Sequence, residues 1–296
     1  INAAITAQLA RGSTAMLPTP DAAWVADELM RRFGLPKWQF AISATDANRF
    51  LLRFARAITG KPKVLVHDWC YHGTVDETLV VAMGDRTISR SGAIGPQINP
   101  ELTTRVVPFN DLAALERAAS HGDVACMLIE PALTNIGIVL PEPGYLAGVR
   151  EITRRHGILL IIDETHTICA GAGGCTVAWN LEPDMLVIGK TIGGGLPVGA
   201  YGMSSEVATL VEALQLNEGI DVSGVGGTLA GNALAMAAVR ATLTHALLPE
   251  QFIQTTALAS AWTTGVQQSY ERRGLPWSVQ QLGSRAEYWF CPPPRT

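Results

Sequence analysis

Apolar residues recur every three or four positions along "PDAAWVADELMRRFG", which predicts an amphipathic helix that Gly34 stops. The period then changes. "WQFAI" reads as a strand and "DANRFLLRFARAITG" as a helix capped by Thr45 or Asp46. After a short strand "KVLV", a long polar loop rich in Gly and Ser is expected from His72 to about Thr103, a length that compact domains keep for functional or mobile segments. Beyond it the rhythm is regular: strand "TRVVPF", helix "DLAALERAAS", strand "VACMLIE", helix "PGYLAGVREITRRHG", then strands "ILLIID" and "MLVIGK". Strands alternating with helices predict an α/β fold, a largely parallel sheet with helices on both faces. "GAYGMS" follows Lys190 too closely for a parallel crossover, so it is expected to be the one antiparallel strand. A long helix, "LAGNALAMAAVRATLTHAL", comes next. After Pro249 the character shifts to one helix and two short strands. Residues 1–246 are therefore expected to form a large domain, and 247–296 the beginning of a smaller C-terminal α+β domain. The chain opens inside a helical pattern at Ile1 and stops in "CPPPRT", which reads as a polypeptide lacking pieces at both ends.

Composition narrows the class. Hydrophobic residues make up 48% of the 296 positions and charged ones 16%, so a soluble globular protein with a large interior is expected. A net charge of −4 gives no basic footprint for nucleic acid, and no apolar run has the length of a membrane span. The five cysteines are odd in number and scattered through apolar runs, which points to a reducing, cytoplasmic setting rather than a disulfide framework.

Three consecutive strands of the alternating region each run into one ionisable group: "VACMLIE" into Glu130, "ILLIID" into Asp163, "MLVIGK" into Lys190. In a parallel sheet those ends share one edge, where ligands bind. A lysine ending a strand is commonly a snorkelling surface residue, but Lys190 is followed by "TIGGGLP", a loop with little side chain to crowd a ligand. "GKT" imitates a P-loop ending, yet Asp184 stands where that motif needs glycine, and no stretch completes G-x-G-x-x-G. An amine beside a carboxylate points instead to Schiff-base chemistry of the pyridoxal phosphate kind. That cofactor needs a lysine for its aldehyde, an acid for its ring nitrogen and a helix N-terminus for its phosphate. Ser43, Ala44 and Thr45 open a helix after "WQFAI", and Tyr71 or His72 offers a ring to stack. His67, Cys70 and His72 straddle a strand end, where alternation sends them in different directions, so no metal site is expected there.

With "GKTIGGGLPVGAYG" and "GTLAGNALAM" in place, the chain resembles the class III pyridoxal phosphate-dependent aminotransferases of fold type I, and among them the glutamate-1-semialdehyde aminomutase-like subgroup. The resemblance runs from about residue 1 to beyond 240. It implies that Lys190 carries pyridoxal 5'-phosphate and that Asp163 pairs with the ring nitrogen. It also implies that Ser43, Ala44 and Thr45 form the phosphate loop and that Tyr71 stacks on the ring. "EPALTN" is similar to Glu-Pro-x-x-x-Asn, which makes Glu130 a site acid and Asn135 a partner of the ring oxygen. Thr228 matches a threonine that reaches the phosphate of the neighbouring subunit, so the resemblance implies a homodimer with shared sites. The family's "DEVxTGFR" is here "DETHTICA": Thr165 replaces a valine under the ring, and His166 is either idle beside the site or a partner of the cofactor oxygen. Ala44 replaces a glycine, a modest change if its backbone is helical. The implied activity is amino-group transfer between an amino acid or amine and a carbonyl compound. An aminomutase or an amino-acid racemase or epimerase is the alternative on the same scaffold.

Overall fold

In the computed structural model, which describes residues 1–84, 86–95, 99–215 and 224–295, local signals place the first helices. Helix α1 spans Asn2–Leu9 and buries none of its residues. Helix α2 (Pro20–Phe33) starts where Thr19 accepts a hydrogen bond from the Ala22 amide, with Pro20 in the first turn, and stops at Gly34 in the left-handed conformation, φ 77°. Its buried Ala22, Val25, Leu29 and Phe33 fall on one stripe. Strand β1 (Lys37–Ala41) leads into α3 (Ala44–Thr59), whose cap is Ser43 rather than Thr45 or Asp46. Ser43 is extended, so its hydroxyl meets the Asp46 amide at 3.1 Å and donates to the Asp46 carboxylate at 2.8 Å. Ala44 is thus already helical, and a methyl group there costs no strain.

Next come β2 (Lys63–His67), β3 (Val80–Met83), β4 (Arg86–Ser89), β5 (Thr104–Val107), α4 (Leu112–Ala119) and β6 (Val124–Ile129). The stretch expected as one long loop therefore holds a hairpin, β3 paired antiparallel with β4 from Val80↔Ser89 to Met83↔Arg86. Its strands are only four residues each, an apolar VVAM and a mixed RTIS, too short to stand out from the surrounding loop. Then follow α5 (Tyr145–Arg155), β7 (Leu159–Asp163), α6 (Gly174–Ala178), β8 (Met185–Gly189), β9 (Gly199–Met203), α7 (Ser205–Gln215) and α8 (Ala233–His245). Residues 216–223, within the stretch read before the long helix, lie outside the described residues. The helix itself begins at Ala233, not Leu229, because Asn232 caps it by accepting from the Ala235 amide at 2.9 Å. The chain ends with α9 (Pro249–Arg272) and the pair β10 (Ser278–Leu282) and β11 (Arg285–Trp289).

The large sheet has the order β1-β9-β8-β7-β6-β2-β5. Strands β8, β7, β6, β2 and β5 pair parallel, and β9 runs antiparallel to both β8 and β1. Since β9 opposes both neighbours, β1 runs with the rest, and its C-terminal end joins theirs on one edge. Helices cover both faces. Residues of α3 and α7 pack with Met185 and Val187 on one side, and α2 and α8 pack with Leu186 and Ile188 on the other, the side on which α5 meets Leu160 and Ile162. Strand β6 is buried at all six positions, as a strand covered on both faces must be. Each such aliphatic side chain contributes about 1.5–3 kcal/mol by leaving water. Arg32 is itself buried and joins the second layer end to end. Its guanidinium bonds Glu28 at 2.7 Å and donates to the Leu243 carbonyl at 2.8 Å, an acceptor that the end of α8 leaves free, and to the Leu247 carbonyl just beyond the helix at 2.6 Å.

Candidate active site

Strands β6, β7 and β8 are neighbours, so Glu130, Asp163 and Lys190 emerge side by side at the edge where α3 begins. A cavity of ≈ 320 Å³ opens there. It is lined by Ser43, Ala44, Thr45, Tyr71, His72, Glu130, Asp163, Thr165, His166 and Lys190, together with Ile42, Gly73 and the segment from Leu196 to Val198. Asn135 and Thr228 are not among the lining residues. Asn135 is solvent-exposed beside the bridge to Gly137, and Thr228 sits exposed in a turn ahead of the Asn232 cap.

Asp163 forms the charged floor. One carboxylate oxygen accepts from Asn48 Nδ2 at 3.0 Å and meets His72 Nδ1 at 2.9 Å, while the other accepts the Thr165 amide at 3.0 Å. Burial would raise its pKa, but the His72 contact and the other donors outweigh that and hold it at about 2. Burial likewise disfavours a charged His72, yet Cys70 and the Asp163 carboxylate raise its pKa, leaving an imidazolium–carboxylate pair. The remaining residues of "HDWCYH" diverge. His67 Nε2 bonds the Tyr145 hydroxyl at 2.7 Å behind the sheet, and Cys70 faces the Thr78 carbonyl.

Glu164, the next residue, turns away from the cavity into a nest of its own. Its carboxylate accepts from the Thr167 hydroxyl at 2.5 Å, the Thr176 hydroxyl at 2.6 Å and the amides of Cys175 at 3.2 Å and Thr176 at 2.5 Å. It therefore holds the start of α6 in place. Gly174, at φ 60°, has no side chain because a Cβ there would lie 2.4 Å from Glu164 Oε2.

Lys190 stands at the open side. It begins a 3₁₀ turn in the left-handed conformation, φ 49°, and its side chain is exposed to the cavity. A positive φ at a residue with a Cβ stores strain of the kind that gathers at functional sites. Burial, then the opposing pulls of Asp163 and Glu130 and the push of Arg285, leave its pKa lowered. Glu130 accepts the Tyr71 amide at 3.1 Å and the hydroxyl of Thr134, and burial pushes its pKa up.

The start of α3 supplies an anion cradle. The backbone N–H groups of Ala44 and Thr45 have no acceptor within the helix, and the helix dipole adds positive potential. Close approach around them needs glycine. A Cβ at Gly199 would lie 2.4 Å from the Ser43 carbonyl oxygen, one at Gly189 would lie 2.9 Å from the Ala44 methyl, and one at Gly73 would meet Thr45 Oγ1 at 2.0 Å.

Three residues that bond to the cavity's ionisable groups escape a reading of the sequence. Asn48 sits on the apolar stripe of α3, fully buried, where an amide among Ala47 and Leu51 was the available signal. Thr134 and Arg285 carry no local mark. Arg285 arrives from β11, with Nη1 at 2.9 Å from His166 Nδ1 and Nη2 at 2.8 Å from the Thr134 carbonyl.

The sequence profile of the family described as Aminotransferase class-III matches residues 1–283. Glutamate-1-semialdehyde 2,1-aminomutase from Acidobacterium capsulatum is 35% identical over 298 residues, covering 98% of this chain and 68% of its own. The protein of that name from Thermomicrobium roseum is 38% identical, covering 98% and 63%. Among solved structures, a glutamate-1-semialdehyde aminomutase from Pseudomonas aeruginosa PAO1 superposes with a TM-score of 0.96 at 47% identity, over 99% of this chain and 66% of that one. A point variant of the same enzyme, equally similar, was solved in complex with PMP. An omega-transaminase from Sphaerobacter thermophilus gives a TM-score of 0.88 at 31% identity, over 99% and 68%. The chain thus spans about two thirds of the length of the relatives it matches.

Proposed function

The chain belongs to the class III aminotransferases, and from that premise we propose that it binds pyridoxal 5'-phosphate and moves an amino group between an amino acid or amine and a carbonyl compound. The observation that carries this reading is one cavity holding an amine, Lys190, a charged buried carboxylate, Asp163, and the free amides of Ala44 and Thr45. The residues fit the group in chemistry and in space. Thr165 Oγ1 is a buried, unpartnered polar atom on the cavity wall, and the cradle around α3 is kept open by glycines.

When bound, the cofactor supplies an aldehyde that takes up amines and a ring that accepts charge from the substrate carbon. Lys190 would hold the aldehyde end and, once free, its Nζ carries the proton leaving the substrate carbon, a task for which a lowered pKa suits an amine. Asp163, kept anionic by Asn48, His72 and the Thr165 amide, would hold the ring nitrogen in its protonated form. Ala44 and Thr45 would bind the phosphate and Tyr71 would cover the ring, with Asn135 and Thr228 assigned only through the family resemblance. Pyridoxal 5'-phosphate added to the protein should produce a visible band, and borohydride reduction with peptide mapping should place it on Lys190. Label on Lys61 or Lys63 overturns the assignment.

A second reading, transfer within a single molecule, is favoured by the aminomutase names of relatives 35–47% identical. Turnover of one amino substrate without an added carbonyl acceptor separates the two. We further propose that residues 1–246 are the cofactor-binding domain and 247–296 the beginning of a smaller one, that the protein is cytoplasmic, and that it works as a homodimer. Exposed Ile42, Trp69 and Leu229 support the last. If Thr228 serves the partner's phosphate, mixing Lys190→Ala with Thr228→Glu chains restores activity on subunit exchange. Exchange without recovery refutes a shared site.

A further inference from the structure

His166 lies between the cavity and β11, and its Nδ1 has two neighbours at 2.9 Å, Thr134 Oγ1 and Arg285 Nη1. We infer that Arg285 is a positioning residue: by donating to Nδ1 it fixes His166 in the Nε2–H tautomer and makes that ring a hydrogen-bond donor into the cavity. The assignment follows from what each atom can do. A guanidinium donates and never accepts, so the ring atom facing Nη1 must offer its lone pair. With Nδ1 unprotonated, a neutral imidazole carries its hydrogen on Nε2. Burial first, then Lys190 and Arg285, hold the His166 pKa at about 4, so the ring is neutral near pH 7 and the choice of tautomer has consequences.

The same logic runs on through Thr134. Its single hydroxyl proton could go to His166 or to Glu130, and Arg285, which can only donate, already uses the single lone pair of Nδ1. The hydroxyl therefore donates to Glu130 Oε2, while Glu130 Oε1 takes the Tyr71 amide. One cation on β11 thereby orders a chain of donors from Arg285 to His166 and from Thr134 to Glu130. Without it, His166 could turn its hydrogen toward Thr134 and present Nε2 as an acceptor, reversing the polarity of that wall.

Arg285 is not free to grip a substrate anion itself. Of its five N–H groups, four are engaged: one by His166, one by the Thr134 carbonyl and two by Glu287 Oε1. Nor does it reach in from a loose segment. The β10–β11 turn is held by the Ser284 amide on the Cys169 carbonyl at 2.9 Å and by Cys169 Sγ on the Leu282 carbonyl at 3.3 Å. Gly283 and Gly137 permit that docking. A Cβ would lie 2.1 Å from the Cys169 oxygen at the first and 2.4 Å from the Trp289 ring at the second.

The test is nitrogen NMR on histidine-labelled protein without cofactor, with the His166 signals identified by their loss in His166→Gln. The unaltered protein should show Nε2 protonated and Nδ1 not. Arg285→Met, which keeps length but cannot donate, should raise the Nδ1–H population, and Arg285→Lys should restore the original pattern. The other histidines serve as the control for folding. An Nδ1–H tautomer in the unaltered protein overturns the inference even if Arg285→Met fails to fold, and so does an unchanged tautomer in a folded Arg285→Met. Because this arm needs no cofactor, it stands apart from the cofactor reading. A second arm rests on that reading. With pyridoxal 5'-phosphate bound, the pH midpoint of its visible band should move by about one unit in Arg285→Met, a tenfold change in the proton equilibrium, and not in Arg285→Lys. Failure to bind the cofactor at all counts against the cofactor reading, whereas a bound cofactor with an unmoved midpoint overturns the link between Arg285 and the cavity.

Discussion

Asp163 and Glu164 are consecutive carboxylates at the end of β7, both buried, and they serve opposite ends. Asp163 is met by side chains from other elements, Asn48 of α3 and His72 beyond β2, and faces open space on its cavity side. Glu164 is closed off by hydroxyls and amides from the next dozen residues and touches none of the cavity. Burial alone does not mark a functional acid. What separates the two is whether the donors all come from short range, closing a structural knot, or include side chains from distant elements and leave one side for a ligand.

The strongest test of the cavity side is Lys190→Ala. Turnover should fall by about 10⁴-fold, the upper end of what a positioned proton-transfer group supplies, with the melting temperature little changed. A variant that kept a tenth of the activity would dissolve the contrast from the cavity side. On the other side, Glu164→Ala should cost at least about 3 kcal/mol in chemical denaturation, since several buried donors lose their acceptor at once. Cofactor affinity of the folded fraction should stay near that of the unaltered protein. Asp163→Asn should do the reverse, lowering turnover by about 10²-fold or more while shifting stability less than Glu164→Ala does. If both acids changed stability alike and turnover alike, the distinction would be wrong.

Acid titration gives a smaller and more discriminating signal, because the two pKa shifts have opposite signs. The Asp163 carboxyl is depressed from 3.8 to about 2, so its stabilisation is complete above 3.8 and is lost as pH falls through about 2. That loss amounts to roughly 2 kcal/mol and should vanish in Asp163→Asn. Glu164 is raised above 4.5 by burial, against the pull of its donors, so its contribution is full below 4.5 and declines as pH rises through the raised value. Denaturation midpoints measured from pH 3 upward on Glu164→Gln should lack that decline.

The sheet and its ligand edge were legible because apolar runs and strand ends are local properties of the sequence. Glu130, Asp163 and Lys190 could be placed on one edge from alternation alone, and β9 could be given its direction from the shortness of the turn before it. Asp163 and Glu164 could not be told apart that way, since the donors that separate them lie across the fold. Helix starts shift by a few residues where several polar residues can cap, as with Ser43 against Thr45 and Asp46 at α3. Arg285 was invisible for a simpler reason: it lies 119 positions from His166, and a pairing over that distance leaves no periodicity behind.

The insertion of β9 between β8 and β1 also sets an order of assembly. Among the described residues, strand β1 pairs only with residues 199–203, and the closure of so long a loop is slow compared with the neighbouring β6–β7 and β7–β8 pairings. During synthesis the middle of the sheet can form while β1 and the start of α3 wait. The anion cradle, wedged between Ser43 and Gly199, would then be among the last parts of the large sheet to close, so binding competence would mark its completion. Pulse-labelled hydrogen exchange during refolding should show the amides of Trp38 to Ala41 gaining protection after those of β6 and β7, and simultaneous protection would refute this order.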